Sequence, residues 1–100
     1  MKTFEHLQHE VISWGTERNL MKPENANKQF LKVIEEVGEL ASGVAKNNKE
    51  AIVDGMGDVL VTLIILSEQL GIDPVQCLES AYAEISNRKG VTVNGVFIKE

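Results

Sequence analysis

Lys32-Val33-Ile34-Glu35-Glu36-Val37-Gly38-Glu39-Leu40 is the stretch on which the fold turns. Its apolar residues continue a helical rhythm: Phe30, Ile34, Val37, Ala41 and Val44 fall on one stripe, with Val33 and Leu40 beside it. Glu35 and Glu39 lie about 40° apart around the same helix, and Glu36 and Glu39 about 60° apart. The three acids share the face opposite that stripe. The periodicity predicts an amphipathic helix over 26–46 with an acidic surface.

Working outward, Asn47-Asn48 is a short turn in which Asn48 can cap a following helix over 49–70. So short a connection makes the two helices antiparallel neighbours. Val59 to Leu66 is apolar on every side and rich in β-branched residues, as a strand would be. The length of the segment and the Glu50 to Asp58 pattern before it decide for helix. A helix apolar all round must be enclosed all round. A chain this short buries roughly 60–65% of its unfolded surface, so a dimer or tetramer is expected to complete the enclosure.

Upstream, Thr3 can cap a helix over 3–18, with Phe4, Leu7, Val11 and Trp14 on one face. Asn19 to Asn27 reads as a loop. Downstream, Gly71 stops the third helix, and Asp73-Pro74 starts a fourth over 74–87 with Leu78, Ala81, Tyr82 and Ile85 as its core face. Asn94-Gly95 between β-branched triplets predicts a hairpin over 91–98. Such a hairpin must pack on the helices or on a partner chain. The expected fold is all-α: one domain over 1–100, a four-helix bundle completed by oligomerisation, with a short C-terminal β-hairpin.

A net charge of −5 argues against a nucleic-acid polymer as partner. Cys77 is the single cysteine, which excludes an intramolecular disulfide and a thiolate zinc cluster. The first residues, Met1-Lys2-Thr3-Phe4-Glu5-His6, lack the apolar core of a signal peptide. No apolar run is long enough to span a bilayer. A cytoplasmic protein without membrane partners is expected.

The acidic face has an ordinary reading as solvated surface. Asp54 and Asp58 shift the balance. They too lie about 40° apart, and their stripe becomes Val61 and Ile65 one turn on. They stand at the margin of packing, where unpaired carboxylates are costly. Two unit charges at 4 Å repel by about 4 kcal/mol at an effective dielectric of 20, and a divalent cation relieves several such pairs at once. Oxygen-only ligands point to Mg²⁺ or Mn²⁺ rather than zinc. Ser42 and Gly43 leave room on the glutamate face. His6 and His9, beside Glu5 and Glu10, read as surface.

These residues resemble the MazG-like, all-α nucleoside triphosphate pyrophosphohydrolases, particularly their short phage and bacterial forms. The family signature Glu-Glu-x-x-Glu is intact as Glu35-Glu36-Val37-Gly38-Glu39. Its second half, Glu-x-x-Asp, is recognisable in Gly57-Asp58-Val59-Leu60. The likeness extends upstream to Trp14 and Arg18-Asn19-Leu20, and downstream to Asn87-Arg88-Lys89-Gly90. One position departs: Gly55 stands where the family has its fourth acid, and Asp54 is the nearest carboxylate.

The resemblance implies cleavage of a (d)NTP between its α- and β-phosphates, giving (d)NMP and pyrophosphate by attack of a metal-activated water. It places Mg²⁺, or Mn²⁺, on Glu36, Glu39 and Asp58, with Asp54 as a shifted ligand. Glu35 or Asp54 holds a second metal or orients the water. Lys32, Arg88 and Lys89 neutralise the outgoing pyrophosphate, Asn87 bonds sugar or phosphate, and Trp14 stacks on the base. The residues themselves leave other readings open. Trp14 fits a core position, and Arg88 and Lys89 fit a helix terminus whose dipole they complement. Two rival functions also stand: a non-catalytic helical oligomer or partner-binding module, favoured by Gly55, and nucleotide binding without hydrolysis.

Overall fold

Three helices begin on a side-chain oxygen and the other behind a proline-led 3₁₀ turn, and three of the four end beside a residue of positive φ. The computed structural model describes residues 1–100. Thr3 accepts a bond from the His6 amide and opens α1 (Phe4–Glu17). Pro23 opens a single 3₁₀ turn (Pro23–Asn25) inside the stretch expected to be loop, and this turn leads into α2 (Ala26–Ala45). Asn48 caps α3 (Lys49–Leu70) by accepting from the Ala51 amide, and Asp73 caps α4 (Pro74–Ile85) by accepting from Val75. Freed N–H groups at a helix start need such acceptors.

The first three stops share one chemistry. Asn19, Asn47 and Gly71 all have positive φ, and after each the chain bonds back across the last turn. Leu20 donates to Gly15, Asn48 to Gly43 and Ile72 to Ser67, at 3.0 Å in all three. This is the left-handed C-terminal cap, which Gly and Asn adopt most easily. Beyond α4 the chain forms β1 (Gly90–Val93) and β2 (Val96–Lys99), antiparallel, with Val91 opposite Ile98 and Thr92 opposite Phe97. Asn94 and Gly95 both have positive φ, as a type I′ turn requires. The fold is thus mainly helical with a C-terminal hairpin. No helix is long and apolar enough to cross a membrane.

The main packing joins α2 to α3, and two glycines let them approach. A Cβ on Gly43 would lie 3.2 Å from Ala51 Cβ, and one on Gly55 would lie 3.1 Å from Leu40 Cα. Gly57, in the same helix, faces open space. The two positions therefore respond oppositely to alanine. Gly57→Ala gains roughly 0.5–1 kcal/mol from helix propensity. Gly55→Ala makes the same gain but overpacks against backbone, at a cost of about 1–3 kcal/mol, so it loses stability on balance. Denaturant unfolding of the two variants reads the difference; equal gains would contradict a close contact at Leu40.

The core is small. Val33, Ile64 and Ile65 are its buried hydrophobic residues, joined by Thr62, Ser67 and Gln69. The expected core stripe of α2 is not the face that packs within the chain: Phe30, Ile34, Val37 and Val44 are all exposed. The same holds for Leu78, Tyr82 and Ile85 of α4. In α3, Leu60 and Leu63 are exposed, so the apolar run is enclosed on one side only. The physical reason is that α2 turns Val33, Leu40 and Gly43 toward α3, a face offset from the strongest apolar stripe.

The total surface is also large for the chain's size. The chain exposes 7732 Å², whereas a folded monomer of 11.1 kDa exposes about 5,700 Å². Its radius of gyration is 15.9 Å against about 13 Å for a closely packed chain of this length.

Candidate metal and nucleotide site

A cleft of about 600 Å³ lies between α2 and α3, within the usual range for a small-molecule site. One wall carries Asn25, at the end of the 3₁₀ turn, and then Lys28, Gln29, Lys32 and Glu36 of α2, which recur every three or four residues and so share one face. Its α3 wall carries Asp58, Thr62, Ile65 and Gln69 on a matching face. Trp14 and Leu20 complete the lining, and Leu20 lies at the Gln69 end, where its carbonyl accepts from Gln69 Nε2.

Glu36 is the most constrained of the carboxylates. Its side chain is 12% exposed, against 55% for Glu35. Its Oε2 is buried without a hydrogen-bond partner, while Oε1 lies 4.0 Å from Lys32 Nζ. Burial raises its pKa first, and the charges of Glu39 and then Asp58 raise it further. Ligand oxygens of Glu35, Glu36 and Glu39 lie within 4.8 Å of one another. Asp58 faces Glu36 across the cleft. A partnerless buried oxygen among acceptor-only groups is an unstable arrangement by itself. A hard divalent cation is the kind of group that completes such a set.

The other candidates divide into those at the cleft and those away from it. Lys32 lines it and reaches Glu35 at 3.3 Å. Trp14 lines it too; its ring is partly exposed rather than core, and the Arg18 guanidinium sits 4.4 Å from the ring centroid. Asp54 is exposed, outside both the three-glutamate cluster and the cleft lining. Gly55 is buried against Leu40. Asn87, Arg88 and Lys89 follow α4 and do not line the cleft, and Arg88 is engaged with Glu84 at 2.7 Å. At the N-terminus, Glu10 is held by Lys2 and His6, each at 2.8 Å, and the Lys2 bond is the main cause of its lowered pKa.

Sequence reasoning missed Asn25, Lys28, Gln29, Thr62 and Gln69 as cleft residues. A signal for two of them existed. Thr62 and Gln69 are the polar interruptions in apolar α3, spaced from Asp58 by one and three turns on the same face.

Comparison with known proteins agrees with this geometry. The model of the MazG nucleotide pyrophosphohydrolase domain matches residues 25–92. Among curated proteins, an uncharacterized 18.2 kDa protein in the rep-hol intergenic region of Haemophilus phage HP1 (strain HP1c1) is 43% identical over 75 residues. That alignment covers 75% of this chain and 46% of the relative, so the chain spans about half of that protein's length. No solved structure matches. The family match takes in α2, α3 and α4, the cleft's two walls included, and the chain belongs to the MazG nucleotide pyrophosphohydrolase family.

Proposed function

We propose that this chain is a divalent-metal-dependent pyrophosphohydrolase that cleaves a (d)NTP between its α- and β-phosphates, releasing (d)NMP and pyrophosphate. The observation that carries the reading is the buried, partnerless Oε2 of Glu36 inside an acceptor-only cluster. Glu36, Glu39 and Asp58 are the residues to hold Mg²⁺, for which Mn²⁺ can substitute. When bound, the cation supplies charge neutralisation and polarisation of the phosphate.

The chain's own groups do the remaining work. Glu35, exposed and paired only with Lys32, is placed to orient the attacking water and take its proton. Asp54, one turn from Asp58, is held in reserve as an outer ligand. Lys32 stands beside the carboxylates, and with Lys28 one turn further along the cleft it offsets the phosphate charge. Trp14 offers a flat surface to the base.

Self-association belongs to the same proposal. About 2,000 Å² of surface beyond the monomer norm is of the size that obligate interfaces bury. Asn87, Arg88 and Lys89 lie outside their own chain's cleft, so they reach a phosphate only in the cleft of a second copy.

With Mg²⁺ present, a panel of (d)NTPs should include at least one that yields pyrophosphate. Glu39→Gln and Asp58→Asn should each lower that rate by more than about 100-fold, since even indirect disturbance of a metal ligand costs 10- to 100-fold. If no nucleotide is turned over with either Mg²⁺ or Mn²⁺, the proposal fails.

A further inference from the structure

The β1–β2 ribbon has one wholly aliphatic face. Val91 stands opposite Ile98 and Val93 opposite Val96; facing pairs share a side of the sheet, as do residues two apart on a strand. These four side chains therefore point the same way, with Thr92, Phe97 and Lys99 on the other side. On that other side Phe97 lies over Gly90, where a Cβ would meet its ring. The aliphatic face has no such neighbour. Its four residues are 49% to 63% exposed, and every residue from Val91 to Glu100 is exposed. The ribbon does not bury this face on the helices of its own chain.

A two-stranded hairpin is marginally stable alone in water and needs a packed layer against its apolar side. A ribbon apolar on one side only takes that layer on one side and keeps the other in water.

Charge indicates which partner supplies it. Among the side chains of residues 88–100, Arg88, Lys89 and Lys99 stand against Glu100 alone, net +2. Residues 1–87 hold seven basic and fourteen acidic side chains, net −7. The segment is thus complementary to the body of its own chain. The Glu100 amide donates to the Lys89 carbonyl at 2.9 Å, which ties the basic root to the ribbon. The body also offers apolar surface in Phe30, Ile34 and Val37 of α2, all exposed. The area exposed beyond a monomer's norm, about 2,000 Å², exceeds the roughly 800 Å² per partner of a standard interface.

We infer that the ribbon is an exchanged arm, whose Val91, Val93, Val96 and Ile98 face packs on the acidic, apolar-striped body of a second copy of this chain. In a two-fold dimer each copy then receives the other's arm. The exchange rests on the self-association proposed above and adds the segment that crosses between copies.

The test uses full-length chains, isotope-labelled and unlabelled, refolded together, and NOEs filtered for contacts between copies. Methyl groups of Val91, Val93, Val96 and Ile98 should show contacts to protons of the other copy. In sedimentation, Ile98→Lys puts a charge on the aliphatic face and should weaken association by at least about 10-fold. Thr92→Lys, on the opposite side, should change it by less than about threefold. Should Ile98→Lys unravel the ribbon, the wild-type contacts still decide.

Contacts from these methyls to helices of the same chain only, or to nothing in an assembled protein, overturn the inference and leave self-association standing. Equal weakening by the two lysine variants overturns it as well. A monomeric wild type overturns both the exchange and the self-association. None of these outcomes depends on pyrophosphate release.

Discussion

Glu36→Gln is expected to remove pyrophosphate release and, in the absence of divalent cations, to raise the melting temperature. The two effects share a cause. The Glu36 carboxylate is held largely out of water beside Glu39 and Asp58, and both burial and those charges push its pKa above the ordinary 4.5. A group whose folded pKa is raised favours folding fully below its unfolded pKa and loses that contribution as pH rises through the folded value. At neutral pH the ionised Glu36 therefore opposes the metal-free fold. Acidification from neutral toward about pH 4.5 should relieve that strain in the wild type and have a smaller effect in the variant. Glutamine keeps the shape and removes the charge.

Metal reverses the comparison. Mg²⁺ at a hundredfold excess over its Kd stabilises a folded site by about 2.7 kcal/mol, so the wild-type melt should rise steeply with Mg²⁺ and the variant's should not. Melting scans with EDTA and with Mg²⁺ check both halves. A variant less stable than the wild type in EDTA would mean that Glu36 is satisfied by the protein itself.

The second large effect is expected at Leu60. It is exposed on α3 in line with Val53, Met56 and Leu63, all exposed as well, at the three- and four-residue spacing of a helix–helix seam. On a monomer surface, Leu60→Asp would change stability by no more than about 0.5 kcal/mol. Across a packed interface it buries an unpaired charge, at roughly 3–5 kcal/mol, which lowers the melting temperature by more than about 10 °C in a chain of this size. The wild-type melt should also rise with protein concentration, as it does when association and folding are linked. Sedimentation of wild type and variant distinguishes the cases. A monomeric wild type with a concentration-independent melt contradicts the interface.

Much of this fold is readable because its punctuation is local. Thr3, Asn48 and Asp73 cap helices with side chains that reach only two or three residues ahead, and Asn94-Gly95 sets its turn by backbone preference alone. None of that depends on tertiary context. The facing of helices does. Phe30, Ile34 and Val37 make the stronger apolar stripe, yet α2 meets α3 through Val33, Leu40 and Gly43, because glycine permits an approach that bulky residues block. Periodicity reports which face is apolar and not which apolar face is used first.

The site divides along the same line. Glu35, Glu36 and Glu39 lie within one helical turn, so their clustering was legible from spacing. That Glu36 alone is buried, and that Asp58 rather than Asp54 shares its cleft, depends on how α3 is rotated against α2. Gln69 was hidden for a further reason. A lone glutamine in an apolar helix carries no motif, and it is anchored by a backbone carbonyl forty-nine residues away, at Leu20.

The most direct test of the central claim is phosphorus NMR of the wild-type protein with a nucleoside triphosphate and Mg²⁺. The proposal predicts loss of the three triphosphate resonances with equal growth of nucleoside monophosphate and pyrophosphate, and no change when EDTA replaces Mg²⁺. Unaltered triphosphate across a panel of nucleotides, or conversion to diphosphate and inorganic phosphate, would contradict it.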